Sequence, residues 1–225
     1  MFRRRFSGYR RRGTRLSTTR IRTPLLSDRL KLKVRFNAWF PFSLTPGIQY
    51  NSFRLNCYNL IINGTTMGGW TIRGLSTFAP LYQRVYVPSS TIRVKFFNTA
   101  ASGCMVAILP QMGNTAPSII TEDVWVQNTY ASWKIMAPRD FGNDNTAIIR
   151  KYLPVSKLVG TSTSVDKDDY AFPSPSTSGV TLPSNSAYWM VMVAPADNNV
   201  LSTASASYEV SLTYYVEMYN KVSNL

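Results

Sequence analysis

The residues best equipped for chemistry come at the start of the chain. Two triplets, Arg3-Arg4-Arg5 and Arg10-Arg11-Arg12, are followed by Arg15, Arg20 and Arg22, with no acid and no lysine before residue 23. A guanidinium presents a planar fork of donors that fits phosphate oxygens in pairs and stacks on flat rings, whereas an ammonium is only a point charge. Nine arginines in such a run point to a polyanion partner, bound by neutralising phosphates and releasing counterions. A solubilising tail is the plainer reading, and the exclusive use of arginine argues against it. Phe2, Phe6 and Tyr9 are interleaved with the arginines. The two triplets also fit a nuclear localisation signal, a role compatible with the first.

A second basic group lies just beyond. In residues 29–40, Arg29, Lys31, Lys33 and Arg35 alternate with Leu30, Leu32, Val34 and Phe36. A period of two means a strand with one buried face and a cationic outer row. Lys31, Lys33 and Arg35 are thus candidate nucleic-acid contacts. The competing reading is cross-strand pairing with Glu209 and Glu217 on the last strand. Trp39, Tyr215 and Tyr219 are also assigned outward, where they suit base stacking or packing between subunits.

Charge is unevenly distributed. Residues 1–35 hold thirteen of the 25 Lys+Arg and one acid, Asp28, so they contribute +12 of the chain's +14. The rest reads as a nearly neutral body carrying a cationic tail. No histidine occurs anywhere, which removes Ser-His-Asp and Cys-His catalysis and the common metal-binding pairs. No phosphate-binding glycine loop is present, and no enzyme activity or cofactor is expected. Asp166, Asp168 and Asp169 lack calcium-loop spacing and read as a solvated loop. Glu122-Asp123 reads as a helix start. Cys57 and Cys104 stand apart with no C-x-x-C, so neither a disulfide scaffold nor a zinc site is expected. No apolar run is long enough to span a membrane.

Residues 1–27 are too charged and too poor in apolar material to fold alone, so they are expected to be a disordered arm. Residues 28–225 are expected to be one all-β domain. The remaining strand expectations are Phe53–Ile62, closed by an Asn63-Gly64 turn, then Ser90–Asn98, Gly103–Leu109, Tyr130–Ala137, Ala147–Val155, Ala187–Ala194 and Ser207–Asn220. Spacings of three and four predict a short helix over Leu75–Tyr86, stopped by Pro88. A weak helical stretch is expected around Ile119–Val126, and a long exposed loop over residues 160–186. Eight strands with long loops predict an eight-stranded jelly-roll sandwich, in which the first strand neighbours the last and the last neighbours the third.

Three features resemble the capsid proteins of circular, Rep-encoding single-stranded DNA viruses, the circovirus-like group. They are the two arginine triplets, the stretch FAPLYQRVYVPSSTIRVKFFN over Phe78–Asn98, and RKYLPVSKLVG over Arg150–Gly160. The resemblance implies a jelly roll, assembly of about sixty copies into a small icosahedron, and packaging of circular single-stranded DNA by the arm. It also implies import receptors that read the arm, and a host-cell surface receptor. Two other readings stay open on the residues alone. One is the coat of a small RNA or satellite virus; the other is a monomeric cationic nucleic-acid-binding protein. A jelly-roll enzyme or lectin is disfavoured by the missing histidines and by the tail.

Overall fold

The computed structural model describes residues 27–42, 45–57, 61–62, 65–66, 78–112, 127–159, 170–173, 185–197 and 203–222. The expected arm as far as residue 26, the stretch around Ile119–Val126 except its flank at residue 127, the loop acids Asp166, Asp168 and Asp169, and the pair Glu122-Asp123 lie outside these residues.

Eight strands form two antiparallel sheets. They are β1 (Arg29–Pro41), β2 (Gln49–Arg54), β3 (Tyr82–Asn98), β4 (Cys104–Met112), β5 (Ser132–Met136), β6 (Thr146–Pro154), β7 (Ala187–Pro195) and β8 (Ala206–Lys221). The first sheet runs β1-β8-β3-β6 and the second β2-β7-β4-β5. This is the expected jelly-roll order: β1 pairs β8 along its whole length, and β8 pairs β3. Five two-residue strands decorate the frame. Among the described residues, no helix is long and apolar enough to cross a membrane.

Alternation explains which faces meet. Val34, Phe36 and Ala38 of β1, Ile92, Val94 and Phe96 of β3, and Tyr208, Val210, Leu212 and Tyr214 of β8 turn inward and are buried. They face Phe53 of β2, Val106 and Ile108 of β4, and Trp189, Val191 and Val193 of β7 across one shared core. As expected, β7 is buried on both faces. Its other side, Met190, Met192 and Ala194, joins Ala107 and Leu109 of β4 in a second apolar cluster. A continuous apolar run is what a strand covered on both sides requires. Cys57 and Cys104 are buried and stand outside any disulfide, and burial pushes the Cys104 thiol up to about 12.

Four local expectations are corrected. Residues 82–86 are not helical: a three-residue helical turn at Ala79–Leu81 leads straight into the 17-residue β3. Beside the bulge Tyr82, Val85 and Tyr86 are buried while Gln83 and Arg84 are exposed, so the pattern loses its alternation and imitates a helical one. Pro88 does not stop an element. It sits where the register slips, since Ser89 opposes Tyr215 while Tyr86 opposes Glu217. A proline, lacking its N–H, is tolerated at such a bulge.

The expected strand Phe53–Ile62 is divided. Pairing with β7 ends at Arg54, and Ile61–Ile62 instead pairs Thr65–Thr66 across the predicted turn position. Residues 160–186 are not wholly an exposed loop. Phe172–Pro173 pairs antiparallel with Arg84 and Val85, and Tyr170, Ala171 and Ser186 are buried. Finally, β4 continues beyond Leu109 to Met112.

Candidate nucleic-acid interface

The outward side of the first sheet is built by four strands in register. From β1 it receives Arg29, Lys31, Lys33, Arg35, Asn37 and Trp39; from β8 it receives Tyr219, Glu217, Tyr215, Thr213, Ser211 and Glu209. From β3 come Arg84, Ser89, Thr91, Arg93, Lys95 and Phe97, and from β6 come Tyr152, Arg150 and Ile148. Lys31, Lys33 and Arg35 are exposed on this face, as their alternation requires. The near-neutral total of residues 36–225 therefore hides the four cations, Arg84, Arg93, Lys95 and Arg150, that they add to the β1 row. Arg29, Lys31, Lys33, Arg35, Arg84, Arg93, Lys95 and Arg150 share this face with only two acids, Glu209 and Glu217.

The two acids do not neutralise the row. Glu217, expected outside, is buried beside the bulge, and it pairs with Arg29 at 3.8 Å. It also helps to raise the Tyr86 phenol, after burial, which is the main cause. Glu209 lies in register between Trp39 and Lys95. Lys33 instead sits 5.7 Å from the centre of the Tyr215 ring, and Lys95 sits 4.6 Å from that of Phe97. Pairing thus accounts for Arg29 and leaves the rest of the row facing outward.

Aromatic groups lie at two places on this cationic field. Trp39 and Phe97 stack, with ring centres 5.1 Å apart and planes 20° apart. Tyr152 and Tyr215 meet edge to face at 6.2 Å. Trp39 is 60% exposed and Tyr152 59%. Tyr219, expected outward, is half-buried and packs against the edge of the core. Between the two aromatic pairs Ser211 and Thr213, half-buried and short, form a low floor, while Ser89 and Thr91, in register with Tyr215 and Tyr152, are buried.

Arg93 and Arg150 stand directly opposite each other beside that floor, both exposed. The next residue, Lys151, faces the other way. Its ammonium donates to the Tyr130 carbonyl, and burial lowers its pKa.

Sequence reading found the row on β1. It did not place Arg84, Arg93, Lys95, Arg150, Phe97 and Tyr152 on the same face. The alternation of Ile148, Arg150 and Tyr152 against Ala147, Ile149 and Leu153 was the available signal. The arginines from Arg3 to Arg22 lie outside the described residues. Among the described residues, no group of three His, Cys, Asp or Glu could hold a metal ion.

No family model and no curated protein matches the chain. Its fold is similar to that of solved viral coat proteins. The 60-mer of the BFDV capsid protein is 10% identical, with a TM-score of 0.45, covering 89% of this chain and 98% of that one. The structure of Cocksfoot mottle virus is 13% identical, with a TM-score of 0.45, covering 99% and 98%. That of Desmodium yellow mottle tymovirus is 11% identical, with a TM-score of 0.40, covering 90% and 94%. At such identities the likeness concerns strand arrangement and does not extend to individual residues.

Proposed function

We propose that this protein is the coat protein of a small virus with a circular single-stranded DNA genome. Copies of the sandwich associate into a closed shell, the simplest having about sixty. Arg3, Arg4, Arg5, Arg10, Arg11, Arg12, Arg15, Arg20 and Arg22, joined by Lys31, Lys33 and Arg35, hold the genome. Before assembly, the two triplets direct the free protein to the nucleus through import receptors. On the assembled virion, loops on the outside meet a host-cell surface receptor.

One observation carries this reading. The arginine-rich segment runs directly into β1, the strand that bears the outward row Lys31, Lys33 and Arg35, so the two cationic parts are contiguous in the chain. The sequence resemblance to circovirus-like coats supports DNA over RNA.

The test is electron microscopy of the purified protein, followed by nuclease digestion of its cargo. Closed particles with a DNase-sensitive content are expected. RNase-sensitive content would favour an RNA-virus coat. A species that stays monomeric at every salt and protein concentration would favour a simple nucleic-acid-binding protein and overturn the proposal.

A further inference from the structure

We propose that the outward face of the first sheet is a platform for single-stranded nucleic acid, distinct from the arginine-rich segment. Unpaired bases stack on Trp39–Phe97 at one end and on Tyr152–Tyr215 at the other. Arg93 and Arg150 hold the intervening phosphates. The inference rests on the polyanion-binding reading and deepens it by naming the residues that would hold unpaired bases and the phosphates between them.

The arrangement of charge points to a bound polyanion. Like charges directly opposite each other on neighbouring strands destabilise a sheet. Arg93 nevertheless faces Arg150, and neither forms an ion pair with an acid among the described residues. A phosphate between two guanidinium groups turns this repulsion into attraction, because each fork can bond it in pairs. The low floor of Ser211 and Thr213 beside them leaves room for a chain to lie across the strands. Adjacent strands are about 4.8 Å apart, so the four-strand face is about 15 Å wide.

The aromatic pairs define the kind of polyanion. An exposed ring amid cations can stack on a base only when that base's flat side is free, and a duplex keeps those sides covered. The Trp39–Phe97 stack is already ordered, with Lys95 against Phe97, so little freedom is lost when a base joins it.

The test uses the full-length chain with oligonucleotides carrying 5-bromouracil bases, in DNA and RNA versions, single-stranded and duplex. Light-induced crosslinks to peptides containing Trp39, Phe97, Tyr152 or Tyr215 are expected from single strands and not from duplexes. Trp39→Ala and Tyr152→Ala should each weaken single-strand affinity about tenfold, while Trp39→Phe keeps most of it. Arg93→Gln and Arg150→Gln should each lower the slope of log affinity against log salt by about 0.7. Trp39 and Tyr152 are the most exposed of these aromatics, so their variants should fold.

Crosslinks confined to residues 1–27, or unchanged single-strand affinity in both alanine variants, would overturn the platform. Filled particles with no crosslinks to the sheet would leave the coat reading standing without it. Crosslinks at Trp39 and Tyr152 in a chain that never assembles would do the reverse.

Discussion

The indole nitrogen of Trp189 donates a hydrogen bond of 2.8 Å to Ser90 Oγ across the centre of the sandwich. Trp189 belongs to β7 of the second sheet and Ser90 to β3 of the first, and both are fully buried. Two further bonds cross the same gap: Tyr214 donates to the Arg54 carbonyl at 2.9 Å, and Asn51 donates to the Tyr208 hydroxyl at 2.6 Å. Polar tips in an apolar core need partners, so these bonds fix how one sheet sits over the other. Ser90→Ala would leave the indole N–H buried and unpaired, and should cost about 1–3 kcal/mol. Urea unfolding of the assembly-incompetent subunit would measure this. A loss below about 0.5 kcal/mol would show that the sheets align without the bond.

Alkali should unfold the protein in a predictable window. Burial raises the Cys104 thiol to about 12 and also raises the phenols of Tyr86, Tyr208 and Tyr214. Each of these groups loses its proton more easily in the unfolded chain. The stability linked to them is therefore complete below the unfolded values and drains away as pH rises. For Cys104 the loss runs from about pH 9 to about pH 12, at up to about 1.4 kcal/mol per pH unit. The urea midpoint should hold steady below pH 8.5 and fall steeply above pH 10, and Cys104→Ala should flatten the first part of the fall. A midpoint that rises over that interval would contradict the assigned burial.

Charge reversal on β1 separates binding from folding. Lys31 and Lys33 are exposed, and neither forms an ion pair among the described residues. Lys31→Glu with Lys33→Glu should therefore change stability by less than about 1 kcal/mol. Affinity for single strands should fall, and the salt slope should flatten by about 0.7 per lost phosphate contact. An insoluble double variant would place these lysines in the structural framework of the sheet.

What the sequence revealed depended on how local the cause was. The period-two runs of β1 and β8 were plain in the chain, because each strand has one buried face along its whole length. β7 was recognisable because nine buried residues in succession leave no polar side. Together these gave the sandwich and its strand order. The misreadings share a non-local origin. Tyr82–Tyr86 looked helical because Val85 and Tyr86 are both buried beside the bulge between the Tyr86–Glu217 and Ser89–Tyr215 pairs, which only the β3–β8 pairing creates. Arg150 joins Arg93, and Trp39 joins Phe97, through registers set by strands far apart in sequence. Composition could count residues 36–225 as almost neutral, but it could not show that Arg84, Arg93, Lys95 and Arg150 join the β1 row on one face.

Removing residues 1–27 tests the central division of labour. The segment carries nine arginines and no acid, so about sixty copies would bring on the order of 500 positive charges to one shell, enough to offset much of a small genome. The sandwich begins at Arg29, and Ser27 before it meets the sheet through its carbonyl, which accepts from the Tyr82 hydroxyl at 2.8 Å, and its hydroxyl, which accepts from the Arg29 N–H at 3.4 Å. The truncated chain should therefore fold. Its particles should lose most of their nucleic acid, read as a drop in the 260/280 nm absorbance ratio toward that of protein alone. A small residue of bound single strand should remain on the sheet face and disappear with Arg93→Gln and Arg150→Gln. Nuclear accumulation of the free protein should also cease, as tracked with a fluorescent fusion, if Arg3-Arg4-Arg5 and Arg10-Arg11-Arg12 are its address. Truncated shells with a full load would show that the sheet face holds the genome and that the arginine segment serves transport.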